Sequence, residues 1–100
     1  DGLGLLPAAA EAFRKDVPAR LAALRESVND GGGPRLVQAA HALKGAAANI
    51  GATAVAAICG QLEAMGHSGH QDAGQELLGR LEAELVNVDS ELNIALDVAP

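Results

Sequence analysis

His41 opens a short run, His41-Ala-Leu-Lys44-Gly45, inside a stretch whose apolar residues recur at intervals of four and three: Leu36, Ala40, Leu43, Ala47 and Ile50. That period marks an amphipathic helix. One residue beyond Ala40, the imidazole is turned about 100° from the stripe, onto the flank between core and solvent. Lys44 and Gly45 follow at i+3 and i+4 and share its face. A neutral imidazole keeps a ring nitrogen with a free lone pair near neutral pH, which makes it a usable nucleophile. A lysine ammonium one turn away can neutralise the oxygens of a phosphoryl group on that nitrogen. Glycine inside a helix costs about 1 kcal/mol relative to alanine, and Ala46-Ala47-Ala48 follow it here. The surface beside His41 is therefore nearly bare, with room for a bulky partner. Spacing alone also admits a histidine whose ring merely packs at the core's edge.

The elements that would carry these residues are helices. Alanine and leucine abound, and no alternation of β-branched with polar residues is long enough for a half-buried strand. Turn clusters at 29–34, at Gly51 and at 66–70 divide the chain into four helical stretches. The first, from about Leu5 to Asn29, lines up Phe13, Val17, Leu21, Leu24 and Val28. Pro18 interrupts it, so that either Asp16 caps a new helix or one helix bends. The second runs from Pro34 to about Ile50. The third runs from Ala52 to Met65, with Val55, Ile58, Cys59, Leu62 and Met65 inward. The fourth starts near Gln71 and carries Leu78, Leu81, Leu85, Val88, Leu92 and Leu96, a seam-like spacing. Short connections make consecutive helices antiparallel neighbours. The expected fold is all-α: one antiparallel four-helix bundle over residues 1–100, with a kinked or split N-terminal helix.

Composition narrows the function. With Phe13 as the one aromatic and a net charge of −6, neither base stacking nor a phosphate-backbone interface is expected, so nucleic acid is not a partner. The charge is divided unevenly: six bases to five acids in residues 1–50, and one base, Arg80, to eight acids in 51–100. The last helix therefore reads as a solvated acidic face over a leucine seam. A single cysteine, Cys59, cannot build a disulfide framework and suits a reducing compartment. On the apolar face of its helix it reads as a buried, inert thiol. No apolar run approaches the roughly eighteen residues of a membrane helix, and a signal peptide is not evident. The start at Asp1 rather than Met suggests a piece of a longer chain. His67-Ser-Gly-His70 with Asp72 has suitable donors for a metal but lies in a glycine-rich connection without fixed geometry, so a turn, and no metal site, is expected.

The longer segment is more specific than His-x-x-Lys-Gly alone. His41-Ala-Leu-Lys-Gly-Ala-Ala-Ala-Asn-Ile-Gly-Ala, continuing to Cys59-Gly-Gln-Leu-Glu63-Ala-Met-Gly66, closely resembles the histidine-containing phosphotransfer (HPt) domains of bacterial two-component phosphorelays. Their hallmark is an H-x-L-K-G signature, a small-residue run, a hydrophobic-Gly break and a helix ending in Leu-Glu-x-x-Gly. The likeness is strongest over residues 35–66. It implies that His41 accepts the phosphoryl group, on Nε2, that Lys44 supports its oxygens, and that Gly45 leaves clearance for a docking receiver domain. Members often carry serine after this glycine, where Ala46 stands, so any hydroxyl contact from that position is absent. Glu63 matches a position where some members hydrogen-bond the other ring nitrogen, and Gln38 could border the phosphoryl group; for both, an ordinary exposed side chain is the competing reading.

The resemblance implies a relay intermediate without catalytic machinery of its own, hence not an enzyme, although its parent could be a hybrid histidine kinase. No cofactor is expected, since Mg²⁺ would belong to the receiver, and no G-x-x-x-x-G-K-[ST] loop offers an ATP site. The expected partners are response-regulator receiver domains, or a histidine kinase domain, docking on a small apolar surface near His41 to which Leu6, Phe13, Ala48 and Ala52 could contribute. The domain is expected to be a cytoplasmic monomer, alone or within a membrane-anchored sensor kinase, and to make no membrane contact itself. Three alternatives stay open: a docking module without transfer, a dimerisation domain built on the helix-four seam, and the phosphoacceptor domain of a chemotaxis-type kinase.

Overall fold

The computed structural model describes the backbone of residues 6–69 and 72–97, and the side chains of 8–69 and 72–93. Four helices follow in order: α1 (Leu6–Asn29), α2 (Gly33–Asn49), α3 (Thr53–Ser68) and α4 (Gly74–Asp97). Each packs on its neighbour in sequence, and α4 returns to α1, closing an all-α four-helix bundle. The α2–α3 interface is the most extensive, and α1–α4 the least.

Pro18 does not split α1, which runs through it to Asn29. The proline leaves the Arg14 carbonyl without its helical donor, a fault that kinks a helix without ending it. Asp16 caps nothing there; its carboxylate lies 3.8 Å from Arg20. Glycines end α1 and α2. Gly31 (φ 106°) and Gly51 (φ 77°) take the left-handed conformation that side chains resist. Around them, Gly32 N–H donates to Ser27 O at 2.7 Å and Ala52 N–H to Ala47 O at 2.8 Å. These six-to-one bonds cap the orphan carbonyls and turn the chain sharply into the next helix.

The inward stripes are those expected, with a few shifts. Leu24, Leu36, Leu43, Val55, Cys59, Leu62 and Leu81 are fully buried, while Val17, Leu21, Ile50 and Val88 are only partly covered. Ala10 and Leu77 join the core. Leu96, expected in the seam, has a side chain outside the described residues. The acidic face of α4 is less solvated than its composition suggests: Glu82 pairs with Arg25 at 2.9 Å and Asp89 with Arg14 at 3.0 Å. The basic helix thus neutralises part of the acidic one across the α1–α4 edge.

Gly66, expected to break a helix, instead lets two helices touch, and Gly74 does the same. The turn expected at 66–70 starts later, because α3 continues through Gly66 and His67 to Ser68 and closes on Gly69. At Gly66 a Cβ would lie 2.7 Å from Val37 Cγ2 and 3.0 Å from the Gly33 carbonyl. At Gly74, the first residue of α4, it would lie 2.8 Å from Val28 Cγ1. The fourth helix therefore begins at Gly74; Gln71, its expected start, lies outside the described residues. Val37 can rotate away from an added methyl, but the Gly33 backbone cannot. Gly66→Ala should destabilise the fold by about 1–3 kcal/mol, the usual range for overpacking. An unchanged thermal midpoint would show that α2 and α3 need not approach so closely.

Candidate functional site

The close approach of α2 and α3 at Val37 and Gly66 brings the next turns of both helices together. There Glu63, on α3, joins two residues of α2. Its Oε2 lies 3.1 Å from His41 Nδ1, and its Oε1 accepts a hydrogen bond from Lys44 Nζ at 3.0 Å. Exposure falls steeply across the group, from 73% for the His41 side chain to 44% for Lys44 and 18% for Glu63. The carboxylate sits in the cleft between the helices, and the imidazole stands above it in solvent.

Electrostatics then settle the histidine's tautomer. The hydrogen bond from the Lys44 ammonium, aided by that from His41, holds the Glu63 carboxyl below its ordinary value of 4.5, against a smaller opposing effect of burial. At neutral pH it is ionised and can only accept hydrogen bonds. The proton between it and the imidazole therefore belongs to Nδ1. In the neutral ring this leaves Nε2 with the free lone pair. Of the two readings of Glu63 left open by the sequence, the ordinary exposed glutamate does not describe it.

The other candidates fall around this group. Gly45 is exposed, and a Cβ added there would meet nothing within 4 Å. Its own fold does not require glycine, in contrast to Gly66. Gln38 lies exposed one turn before His41, outside the hydrogen-bonded group. Ala48 is exposed and Ala52 half-buried, whereas Ala46 packs against the core. Phe13, expected near the docking surface, is instead 6% exposed and belongs to the core, because it falls on the central stripe of α1. The side chain of Leu6 lies outside the described residues. Cys59 is fully buried, and burial pushes its thiol up to about 11; it is inert at neutral pH. His67 lies in the last turn of α3, His70 lies outside the described residues, and among those described no three His, Cys, Asp or Glu side chains cluster.

Sequence reasoning missed the Lys44–Glu63 ion pair, having tied the lysine to a phosphoryl group alone. The signal was present in the register: α2 and α3 are antiparallel about the turn at 50–52, which sets both residues on facing turns.

Fold and site together define a four-helix-bundle domain that presents one oriented, solvent-facing histidine. The family model for the Hpt domain matches residues 8–91, and the chain belongs to this family. Its general role is accordingly in a phosphorelay. No match was found among curated proteins or among solved structures.

Because Glu63 loses its proton more readily in the folded chain than in the unfolded one, it adds stability that is complete above its unfolded value of 4.5 and lost as the pH falls through its lower folded value. The stability advantage of the wild type over Glu63→Gln in urea unfolding should therefore be full near neutrality and shrink in acid. An advantage that stays constant down to about pH 3 would show that the carboxylate's charge does not hold the group together.

Proposed function

We propose that His41 accepts a phosphoryl group from the aspartate of a receiver domain and passes it to another receiver. The observation that carries this reading is the ionised Glu63 at Nδ1, which leaves Nε2 of a 73% exposed ring as the nucleophilic nitrogen. In the step, the Nε2 lone pair attacks phosphorus and an N–P bond forms. The P–O bond to the receiver's aspartate breaks, its electron pair staying on the carboxylate. The proton on Nδ1 remains, so the ring becomes cationic and Glu63 is its counter-ion. The reverse step returns the phosphoryl group by the same path.

Such a transfer depends mainly on positioning and charge neutralisation. A stiff helix with an oriented imidazole supplies the first from this side; the receiver's own aspartate and metal supply the rest. The open space at Gly45 and the exposed Ala48 give a receiver room to approach. Lys44 neutralises phosphoryl oxygens once the group has arrived. In this reading the domain works as a monomer in the cytoplasm, either by itself or within a sensor kinase. The dimerisation alternative loses its supporting observation, since Leu81, Leu85 and Leu92 are 0%, 8% and 7% exposed within one bundle.

Mixing the domain with a radiolabelled, phosphorylated receiver tests the reading. Acid-labile, alkali-stable label should appear on the wild type and not on His41→Gln; label persisting on the variant overturns the assignment. Label arriving only from an ATP-binding kinase domain would favour the chemotaxis-type alternative, and none from a panel of receivers the docking module. Gly45→Glu should keep the helical circular dichroism yet block transfer from the receiver, whereas unchanged transfer would mean that the partner docks elsewhere. Lys44→Ala should slow transfer without abolishing it, and an unaltered rate would remove its electrostatic role.

A further inference from the structure

We propose that Glu63 holds Lys44 in reserve, so that its carboxylate sets how readily the lysine reaches a phosphoryl group on His41. The inference rests on the phosphoacceptor reading of His41. It starts from the two oxygens of one carboxylate, of which Oε2 meets His41 Nδ1 at 3.1 Å and Oε1 meets Lys44 Nζ at 3.0 Å. The ammonium is therefore moored on the Nδ1 side of the imidazole. A phosphoryl group on Nε2 would grow from the opposite side of the ring. To neutralise its oxygens, Lys44 must leave Glu63.

The side chains permit that exchange. Lys44 is 44% exposed at the end of a flexible four-carbon stem, whereas Glu63 is 18% exposed and confined between two helices. The lysine moves and the carboxylate stays. What Lys44 gives up is a half-exposed ion pair, an interaction that commonly shifts an equilibrium by up to about fivefold. Glu63 thus has, beside its role as counter-ion to the ring, two separable tasks: it keeps the proton on Nδ1, and it competes with the phosphoryl group for the lysine. Glutamine in its place retains an oxygen to accept from Nδ1–H but loses the charge that moors the ammonium. The glutamate is a positioning residue for Lys44, and Glu63→Gln separates the tasks.

A small phosphoryl donor removes receiver docking from the test. With potassium phosphoramidate, the Nε2 lone pair attacks phosphorus, an N–P bond forms, and the donor's P–N bond breaks with ammonia leaving. Phosphohistidine formation is followed by phosphorus NMR for the wild type, Glu63→Gln, Lys44→Ala and the double variant, each first checked for a cooperative melt. The expected result is that Glu63→Gln is roughly two- to fivefold more favourable to phosphorylation of His41 when Lys44 is present than when it is alanine, the alanine background carrying the loss of the counter-ion alone. The ammonium signal of Lys44 in nitrogen-edited spectra should also broaden in Glu63→Gln, a change that a merely structural role for Glu63 would not produce. An equal effect of Glu63→Gln in both backgrounds would mean that the carboxylate acts directly on the ring or the donor and does not restrain the lysine, which overturns the inference while leaving His41 as acceptor. A wild type that takes no label while folded would overturn the acceptor reading itself, and this inference with it.

Discussion

The candidate site depends on how closely α2 and α3 can lie together. Where Val37 meets Gly66, the space that a β-carbon would fill is already taken by a valine methyl and a backbone carbonyl. The missing side chain lets the two helix axes approach, and antiparallel register then sets Glu63 opposite His41 and Lys44. A carboxylate side chain is short, and hydrogen bonds of 3.0 and 3.1 Å to two separate residues leave little slack. If the helices stood farther apart, Glu63 would reach solvent before it reached both donors. A packing detail one turn from the imidazole is thus what orients it.

Within that geometry the charges organise one another. Lys44 draws the Glu63 carboxyl toward its ionised form, and the ionised form in turn keeps the proton on Nδ1. The same two side chains act in opposite directions on Cys59, which the lysine pulls toward thiolate and the glutamate pushes away from it, while burial, the largest effect, also raises the thiol. Only the imidazole combines exposure with a free lone pair, so the chemistry of the site is confined to one atom. The far edge of the bundle uses charge differently. There Arg14 and Arg25 of α1 pair with Asp89 and Glu82 of α4, closing the least extensive of the helix interfaces.

Much of the fold was legible because helical stripes repeat over many residues, and each stripe has to find cover. Leu36, Ala40, Leu43 and Ala47 on α2, and all five inward residues of α3, are buried as their spacing implies. The errors cluster at glycine. Gly66 reads locally as a break, since glycine disfavours a helix, and Gly74 as an ordinary position inside the fourth stretch; in the bundle each marks a close contact with a side chain distant in sequence. Local propensity cannot distinguish a glycine that ends a helix from one that admits a neighbour. Phe13 was misplaced for a related reason: the hydrophobic face of one helix does not say which partner covers it.

What the amino-acid sequence by itself determined is the number and type of the elements and their inward faces, and it singled out the histidine–lysine–glycine run as the candidate centre. Those properties reside in residues a few positions apart, where period and side-chain type suffice. The tertiary structure alone decided that one Glu63 carboxylate spans His41 and Lys44, and with it the physical reason for leaving Nε2 free. These are relations between residues some twenty positions apart on two helices. Their distances follow from interhelical packing, which only the assembled core defines.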